Sequence, residues 1–265
     1  MNRQWEFTDL ELRVLWERYI GGSLPEPLTY TSRIRYADEY EQEAFRIWEY
    51  LQDTVGGSIR EVLEALAHPE LLLRVMGWYD RDMDDPQRWI RARVVRSGPR
   101  GYVLTQKPGE TIAHSGGYTI TECGPHGVAD AAVRLLPPVE AGRSRSIPIT
   151  LDQEDVLEQI HGGASMVLES GGESEVRRGE RFLNTPADRT GVIILNQGRS
   201  KFGPRGILEQ ILLWRDLPDD GRYVIEVGSS APTAVGIGRQ ELVARLDDAI
   251  ESMLKRLENH WEIRE

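Results

Sequence analysis

Apolar side chains recur every three or four residues in the first quarter of the chain, which is the spacing of one face of an α-helix. The first such segment opens with a capping-box pair, Thr8 and Glu11, and the third repeats that spacing with Ser58 and Glu61. Glycine pairs end the first two segments. The pattern predicts a helical N-terminal region with one short strand. The predicted helices span 9–20 and 37–52, and a third helix begins at residue 58. The predicted strand spans 28–31.

The pattern changes at residue 71, where short apolar or alternating runs bounded by glycine-rich turns replace the helical period. Such runs are typical of antiparallel strands joined as hairpins. The stretch 190–227 is the clearest case and predicts the heart of a sheet. The predicted strands span 71–79, 89–96, 102–106, 118–121, 192–195, 207–214, 223–227 and 233–237, and further helices span 126–136, 151–161 and 239–258.

The two halves of the chain, about 1–138 and 139–265, share an order of helices, then strands, then a helix. The tetrapeptide Gly-Pro-Arg-Gly occurs in each half, at 98–101 and 203–206. We therefore expect a single α+β domain with a central antiparallel sheet flanked by helices and an internal pseudo-two-fold. A chance repeat stays open, because Gly-Pro and Arg-Gly are common turn dipeptides. Residues of about 162–187 are rich in glycine, serine and charge, and predict a mobile loop.

Composition and charge limit the kinds of partner. The net charge of −11 disfavours nucleic acid and anionic membranes, which are recruited by basic surfaces. No apolar run reaches the roughly 20 residues of a membrane span, and the polar start at Met1 carries no signal region, so we expect a cytoplasmic protein without membrane insertion. A single cysteine, Cys123, excludes an intrachain disulfide. Proteins and small molecules remain as partners.

Motifs for chemistry are incomplete. The Gly236-Ile-Gly238 sequence lacks the third glycine of a dinucleotide fingerprint, and no cofactor is indicated. Cys123 and His126 have the spacing of half a zinc site without a second pair, so no metal is indicated. Catalytic residues are not indicated by any complete motif. The enzymatic alternative is a hydrolase-like enzyme that uses His114 or His126.

Nine short segments, in order and spacing, resemble the EspG family of proteins associated with type VII (ESX) secretion in actinobacteria. They are WEFTDLE at 5–11, VLWE at 14–17, PEPL at 25–28, VLEALAHP at 62–69, LLPP at 135–138, GRS at 142–144, SIP at 146–148, WRD at 214–216 and GRY at 221–223. The resemblance implies a non-enzymatic cytosolic chaperone, with a central antiparallel sheet between two helical bundles. Its implied client is a PE/PPE-like or other helical secretion substrate.

The resemblance further implies that the hydrophobic tip of a PPE protein is held by the sheet and the C-terminal helical bundle. Carried over to this chain, that surface is the basic loop 198–206, the strand that follows it and the last helix. An apolar socket with a polar rim is the expected chemistry. The candidate partner-binding residues are Arg199, Lys201, Phe202, Arg205, Gln210, Ile211 and Trp214.

Two alternatives stay open at the level of the residues. Ile211 and Trp214 also fit an ordinary sheet core, and the loop cations also fit a solvated turn. The Gly-Pro-Arg-Gly sequence of the loop departs from the family pattern. We expect a monomer or weak dimer, and a homodimer through the last helix is a third interpretation.

Overall fold

The computed structural model describes residues 3–149, 175–198 and 208–262, and its strands form one ten-stranded antiparallel sheet. The strands are β1 Gln4–Phe7, β2 Leu71–Trp78, β3 Ile90–Ser97, β4 Arg100–Pro108, β5 Ser115–Glu122, β6 Ile147–Pro148, β7 Arg189–Gln197, β8 Glu209–Leu217, β9 Gly221–Val227 and β10 Thr233–Gly236. The helices are α1 Asp9–Tyr19, α2 Ala37–Thr54, α3 Ser58–Ala67, α4 Val128–Arg134, α5 Glu175–Asn184 and α6 Arg239–Glu262. The predicted α+β class is confirmed.

The strand order is β1-β5-β4-β3-β2-β7-β8-β9-β10-β6, so β2 and β7 meet at the centre of the sheet. On one side of this junction β2 to β5 form a four-stranded meander, and on the other side β7 to β10 form a second one. Each meander has one more strand at its outer edge, β1 beside β5 and β6 beside β10, and that strand precedes the meander in the sequence. The order therefore has the same form when followed from either edge. The three-dimensional equivalence of the two halves stays a prediction.

The repeated Gly-Pro-Arg-Gly sequence does not mark equivalent turns. Its first copy joins β3 to β4, the second and third strands of the first meander, whereas the second copy falls between β7 and β8, the first and second strands of the other. By strand order, the counterpart of the β7–β8 connection is the one between β2 and β3. The tetrapeptide is thus not support for the pseudo-two-fold.

Alternation along the strands divides the core into layers. Odd-numbered apolar residues of β2 and β7, such as Leu73 and Ile193, face α4 and α6. On the opposite face, α1 to α3 cover the first half of the sheet around Leu63 and Tyr118. The second half of that face carries a smaller cluster in which Phe182 of α5 contacts Tyr223 edge to face, with ring centroids 5.2 Å apart. No helix among the described residues is long and apolar enough to span a bilayer.

Several local predictions were wrong. Residues 28–31 form no strand, although the Tyr118 hydroxyl donates a hydrogen bond to the Thr29 carbonyl at 2.6 Å and so fixes this segment to the sheet. The Ser58 capping box is absent, because α3 begins after Gly57 and has no side-chain cap. By contrast, the Thr8 capping box is present.

The segment predicted as a mobile loop over 162–187 contains α5 from residue 175 to 184. Arg215 explains why this polar segment is helical: its guanidinium donates to the carbonyls of Phe182 at 2.6 Å and Thr185 at 2.7 Å, at the end of the helix. Asp80 pairs with the same guanidinium at 3.1 Å. The predicted helix 151–161 and residues 162–174 lie outside the described residues.

The buried hydroxyl of Tyr118 makes the folded protein less stable as the pH rises above 10. Burial raises its pKa from 10.0 to about 12. Above pH 10 the unfolded chain releases the tyrosine proton while the folded chain keeps it, so this contribution to stability is complete below pH 10 and is lost as the pH rises toward 12. We expect the free energy of unfolding of Tyr118→Phe to fall less than that of the wild type between neutral pH and pH values above 10. Urea unfolding at pH values below and above 10 measures this difference. An unchanged slope would contradict this assignment.

Candidate partner-binding surface

The base of the β7–β8 connection is held tightly against the turn between α3 and β2. The Gly198 amide donates to the Glu70 carbonyl at 2.8 Å, and a Cβ at Gly198 would lie 1.9 Å from the Pro69 carbonyl oxygen, so only glycine fits. Four candidate residues, Arg199, Lys201, Phe202 and Arg205, fall in the segment 199–207, outside the described residues. Their part in binding stays a prediction.

The candidate residues of β8 do not share one surface. Gln210 donates to Glu226 at 2.8 Å, and Arg245 of α6 pairs with the same carboxylate at 2.8 Å, so Gln210 faces the α6 side of the sheet. Ile211 is half-buried and lies on the opposite face, because it pairs with Ile194, which packs against the cluster around Phe182. Successive residues of a strand point to opposite faces, so neighbours in sequence cannot both line one socket.

Trp214 is a core residue and presents no surface to a partner. Its side chain is 0% exposed, and its neighbours across the strands are Gly191 and then Gly77. A Cβ on Gly77 would lie 2.7 Å from the indole ring, so the two glycines make the space that the ring occupies. Trp214 thus fits the alternative of an ordinary sheet core, because the face of the sheet that it occupies is covered by α4 and α6, and a part for it in binding stays a prediction.

Ile211 belongs instead to a row of side chains that crosses the middle of the sheet. Register places Arg93 of β3 beside Arg74 of β2, followed by Ile194, Ile211 and Val227 of β7, β8 and β9. We call these five residues the central row. Its three aliphatic members are half-buried, between the part of the face covered by α1 to α3 and the part covered by α5.

The arginine end of the central row lines a groove with a volume of about 610 Å³. Arg74 donates to Glu26 at 2.7 Å, to Asn196 at 3.1 Å and to Glu209 at 3.2 Å, which links the loop before α2 to both central strands and β8. The groove is lined by Glu26, Ala67, Pro69, Leu72, Arg74, Arg93, Asn196, Gln197, Gly198 and Glu209. Gly198 directly precedes the segment 199–207 and Glu209 lies two residues after it, so the groove is close in sequence to the predicted binding residues of that segment.

Arg93 is buried, with its guanidinium on backbone oxygens. It donates to the carbonyl of Leu66 at 2.9 Å and to that of Glu26 at 3.2 Å. Burial, together with the positive charge of Arg74, lowers the pKa of Arg93 to about 10. The groove thus has two fixed guanidinium groups, of Arg74 and Arg93, and two carboxylates, of Glu26 and Glu209, beside the aliphatic part of the central row.

Sequence reasoning missed four members of the central row. The signal was present in Arg74, since an arginine inside an otherwise apolar strand must have a partner or a ligand. Arg93 gave no such signal, because β3 also contains Arg91 and Arg96. Ile194 and Val227 carried no such signal. Their position on this face follows only from strand pairing.

The histidines of the enzymatic alternative are not brought together. His114 precedes β5 and His126 follows it, so they lie at opposite ends of an eight-residue strand. The His114 Nδ1 atom is 2.8 Å from the Thr111 hydroxyl, beside a cavity of only about 10 Å³. Burial raises the pKa of Cys123 to about 11, which opposes thiolate formation. No cluster of metal-ligating side chains occurs in the described ranges.

Comparisons with known proteins gave one family match and one similar fold. The sequence model of the EspG family matches residues 8–248. The fold is similar to that of the Mycobacterium tuberculosis type VII secretion system chaperone EspG5, whose structure is of a complex with the PE25-PPE41 dimer. That likeness has a TM-score of 0.55 at 12% identity, and covers 91% of this chain and 94% of the other. A search of curated proteins gave no match.

Proposed function

The chain belongs to the EspG family, and we propose from this that it is a type VII secretion chaperone for a helical PE/PPE-like client. In this proposal it covers the hydrophobic tip of the client in the cytoplasm and keeps the client soluble for export. The chaperone acts without a catalytic step, as a monomer or weak dimer. The similar EspG5 chain supports this function through the shared fold.

The central row is the observation that carries the proposed binding surface. Ile194, Ile211 and Val227 offer an aliphatic strip on an otherwise covered sheet, and Arg74 with Glu209 supplies a polar rim. Apolar client residues gain free energy by leaving water for such a strip, while the rim fixes their orientation. The loop residues Phe202 and Arg205 follow the groove directly in the chain and complete the proposed surface.

A co-purification experiment tests the proposed function. The full chain is co-expressed with PE–PPE pairs of its own genome, and we expect one pair to be recovered in a stable complex. The double variant Phe202→Ala, Arg205→Glu is expected to weaken binding by about tenfold or more, because it removes an aromatic anchor and reverses a rim charge. Binding is measured by titration of the purified pair.

Arg81→Glu is the matched control, since Arg81 is exposed in the β2–β3 connection at the opposite end of the sheet. It reverses the same kind of charge and should leave affinity unchanged. If the double variant binds as tightly as the wild type, the surface is wrong while the function stands. If no PE–PPE pair binds the wild type, the function itself is wrong.

A further inference from the structure

The helix α2 exposes aromatic rings on different sides. Among the described residues, the three most exposed large hydrophobic side chains all belong to this helix or its N-cap: Phe45 at 53%, Tyr36 at 57% and Tyr50 at 59%. The inner face of α2 is already occupied, since Trp48 packs edge to face on Tyr19 of α1, with ring centroids 5.2 Å apart. The exposed rings therefore have no role in holding the helix to the protein.

Carboxylates surround Phe45. Asp38 lies seven residues before Phe45, Glu41 four residues before it and Glu49 four residues after it. All three are therefore on the same stripe of the helix. None of these three carboxylates pairs with a basic side chain in the described part of the protein, whereas Arg46, the one basic residue of α2, pairs with Glu43 at 2.8 Å. Phe45 is thus an exposed ring with uncompensated negative charge around it.

Phe45 and its neighbours on α2 border a shallow, open depression. Asp38, Glu41, Gln42, Phe45 and Arg46 line a shallow recess of about 490 Å³. An apolar centre with a charged border is the arrangement of a protein-binding hot spot, in which the ring is covered and the border pairs with the partner. The three carboxylates extend over about 16 Å along the helix axis, at 1.5 Å per residue.

We propose that this face of α2, centred on Phe45, is a docking surface for a protein helix that carries an apolar ridge flanked by lysine or arginine. Charge complementarity selects a basic partner, since six acidic residues stand against one arginine in α2. A helix fits this row, because the ridge of side chains on one helix packs along the side of another over such a length.

This surface is separate from the one proposed for the client. Residues of α2 line neither the groove nor the central row, and α2 packs on α1 through Tyr40, whose hydroxyl donates to Glu17 at 3.0 Å. A basic helical partner could therefore bind while the client surface is occupied. The inference holds whether or not the proposed client is correct.

The test uses a fluorescent amphipathic peptide of about 18 leucine and lysine residues, which is long enough to form a helix. Its affinity for the full chain is measured by anisotropy at physiological salt, where diffuse surface attraction is screened. We expect saturable one-to-one binding that Phe45→Ala weakens by about tenfold or more. A peptide with glutamate in place of lysine should not bind.

Tyr50→Ala is the matched control. Tyr50 lies on the same helix with similar exposure, yet about 140° around the axis from Phe45 at 100° per residue. It should keep wild-type affinity, and both variants should keep the wild-type unfolding transition. Equal affinity of the two variants, or no binding by the wild type, would overturn the proposal. So would a fall in the mass of the free protein caused by Phe45→Ala, since a second copy would then occupy this face.

Discussion

Replacement of Asp216 by alanine is expected to destabilise the protein by about 3–5 kcal/mol, because it leaves the Arg222 guanidinium buried without a countercharge. Both side chains are about 2% exposed. Arg222 donates from Nε and Nη2 to the two carboxylate oxygens of Asp216, each at 2.7 Å, and Nη2 also donates to the Pro137 carbonyl at 2.8 Å. The free energy of unfolding is measured by urea denaturation at neutral pH.

The double variant Asp216→Leu, Arg222→Met removes both charges, whereas Asp216→Ala leaves the charge of Arg222 unpaired. Comparing the two variants separates the effect of losing the ion pair from the effect of burying an unpaired charge. Apolar replacement of both partners of a buried pair is often neutral or stabilising. We expect the double variant to be more stable than Asp216→Ala, although the Pro137 carbonyl then loses its donor. A double variant as unstable as the single one would show that the polar contacts themselves, rather than the unpaired charge, account for the effect.

Gly191→Ala is expected to cost about 3 kcal/mol or to prevent folding, since overpacking in a core forces backbone shifts. A Cβ at this position would lie 2.1 Å from the Met76 carbonyl oxygen and 2.5 Å from the Trp214 ring. The carbonyl belongs to the central strand β2 and cannot move without breaking the ladder between the two halves of the sheet. Thermal and urea unfolding measure the loss.

Gly57→Ala is the control for this substitution. Gly57 precedes α3 at φ −63°, and nothing lies within 4 Å of an added Cβ. The same chemical change there should alter stability by less than about 1 kcal/mol, or increase it slightly through the unfolded chain. Equal effects at Gly57 and Gly191 would rule out the proposed clash.

Signals that act within one or two turns of the chain were sufficient to predict most helices. Thr8 and Glu11 begin α1 because their mutual hydrogen bonds need no distant partner. The apolar stripe of α6 likewise predicts a helix from residue 239, which is where it begins. Strands with strong alternation, such as β3, were predicted to within a few residues for the same reason.

Elements that depend on distant partners were missed. β1 has only four residues, half of them polar, and forms because the edge of β5 offers it hydrogen bonds. α5 has few apolar residues, and its last carbonyls are held by Arg215, about 30 positions further along the chain. Neither the pairing of β1 with β5 nor the contact of α5 with Arg215 is visible in a short stretch of sequence.

The sequence by itself determined the family, the positions of most helices and of the longer strands, and the charge that favours protein partners. Tertiary structure decided which side chains share a surface. The Arg74–Glu209 ion pair joins residues 135 positions apart, and the central row takes one residue from each of five strands. Strand register sets these neighbours, and a shift of one residue would turn Ile211 inward and bring Trp214 out to the opposite face.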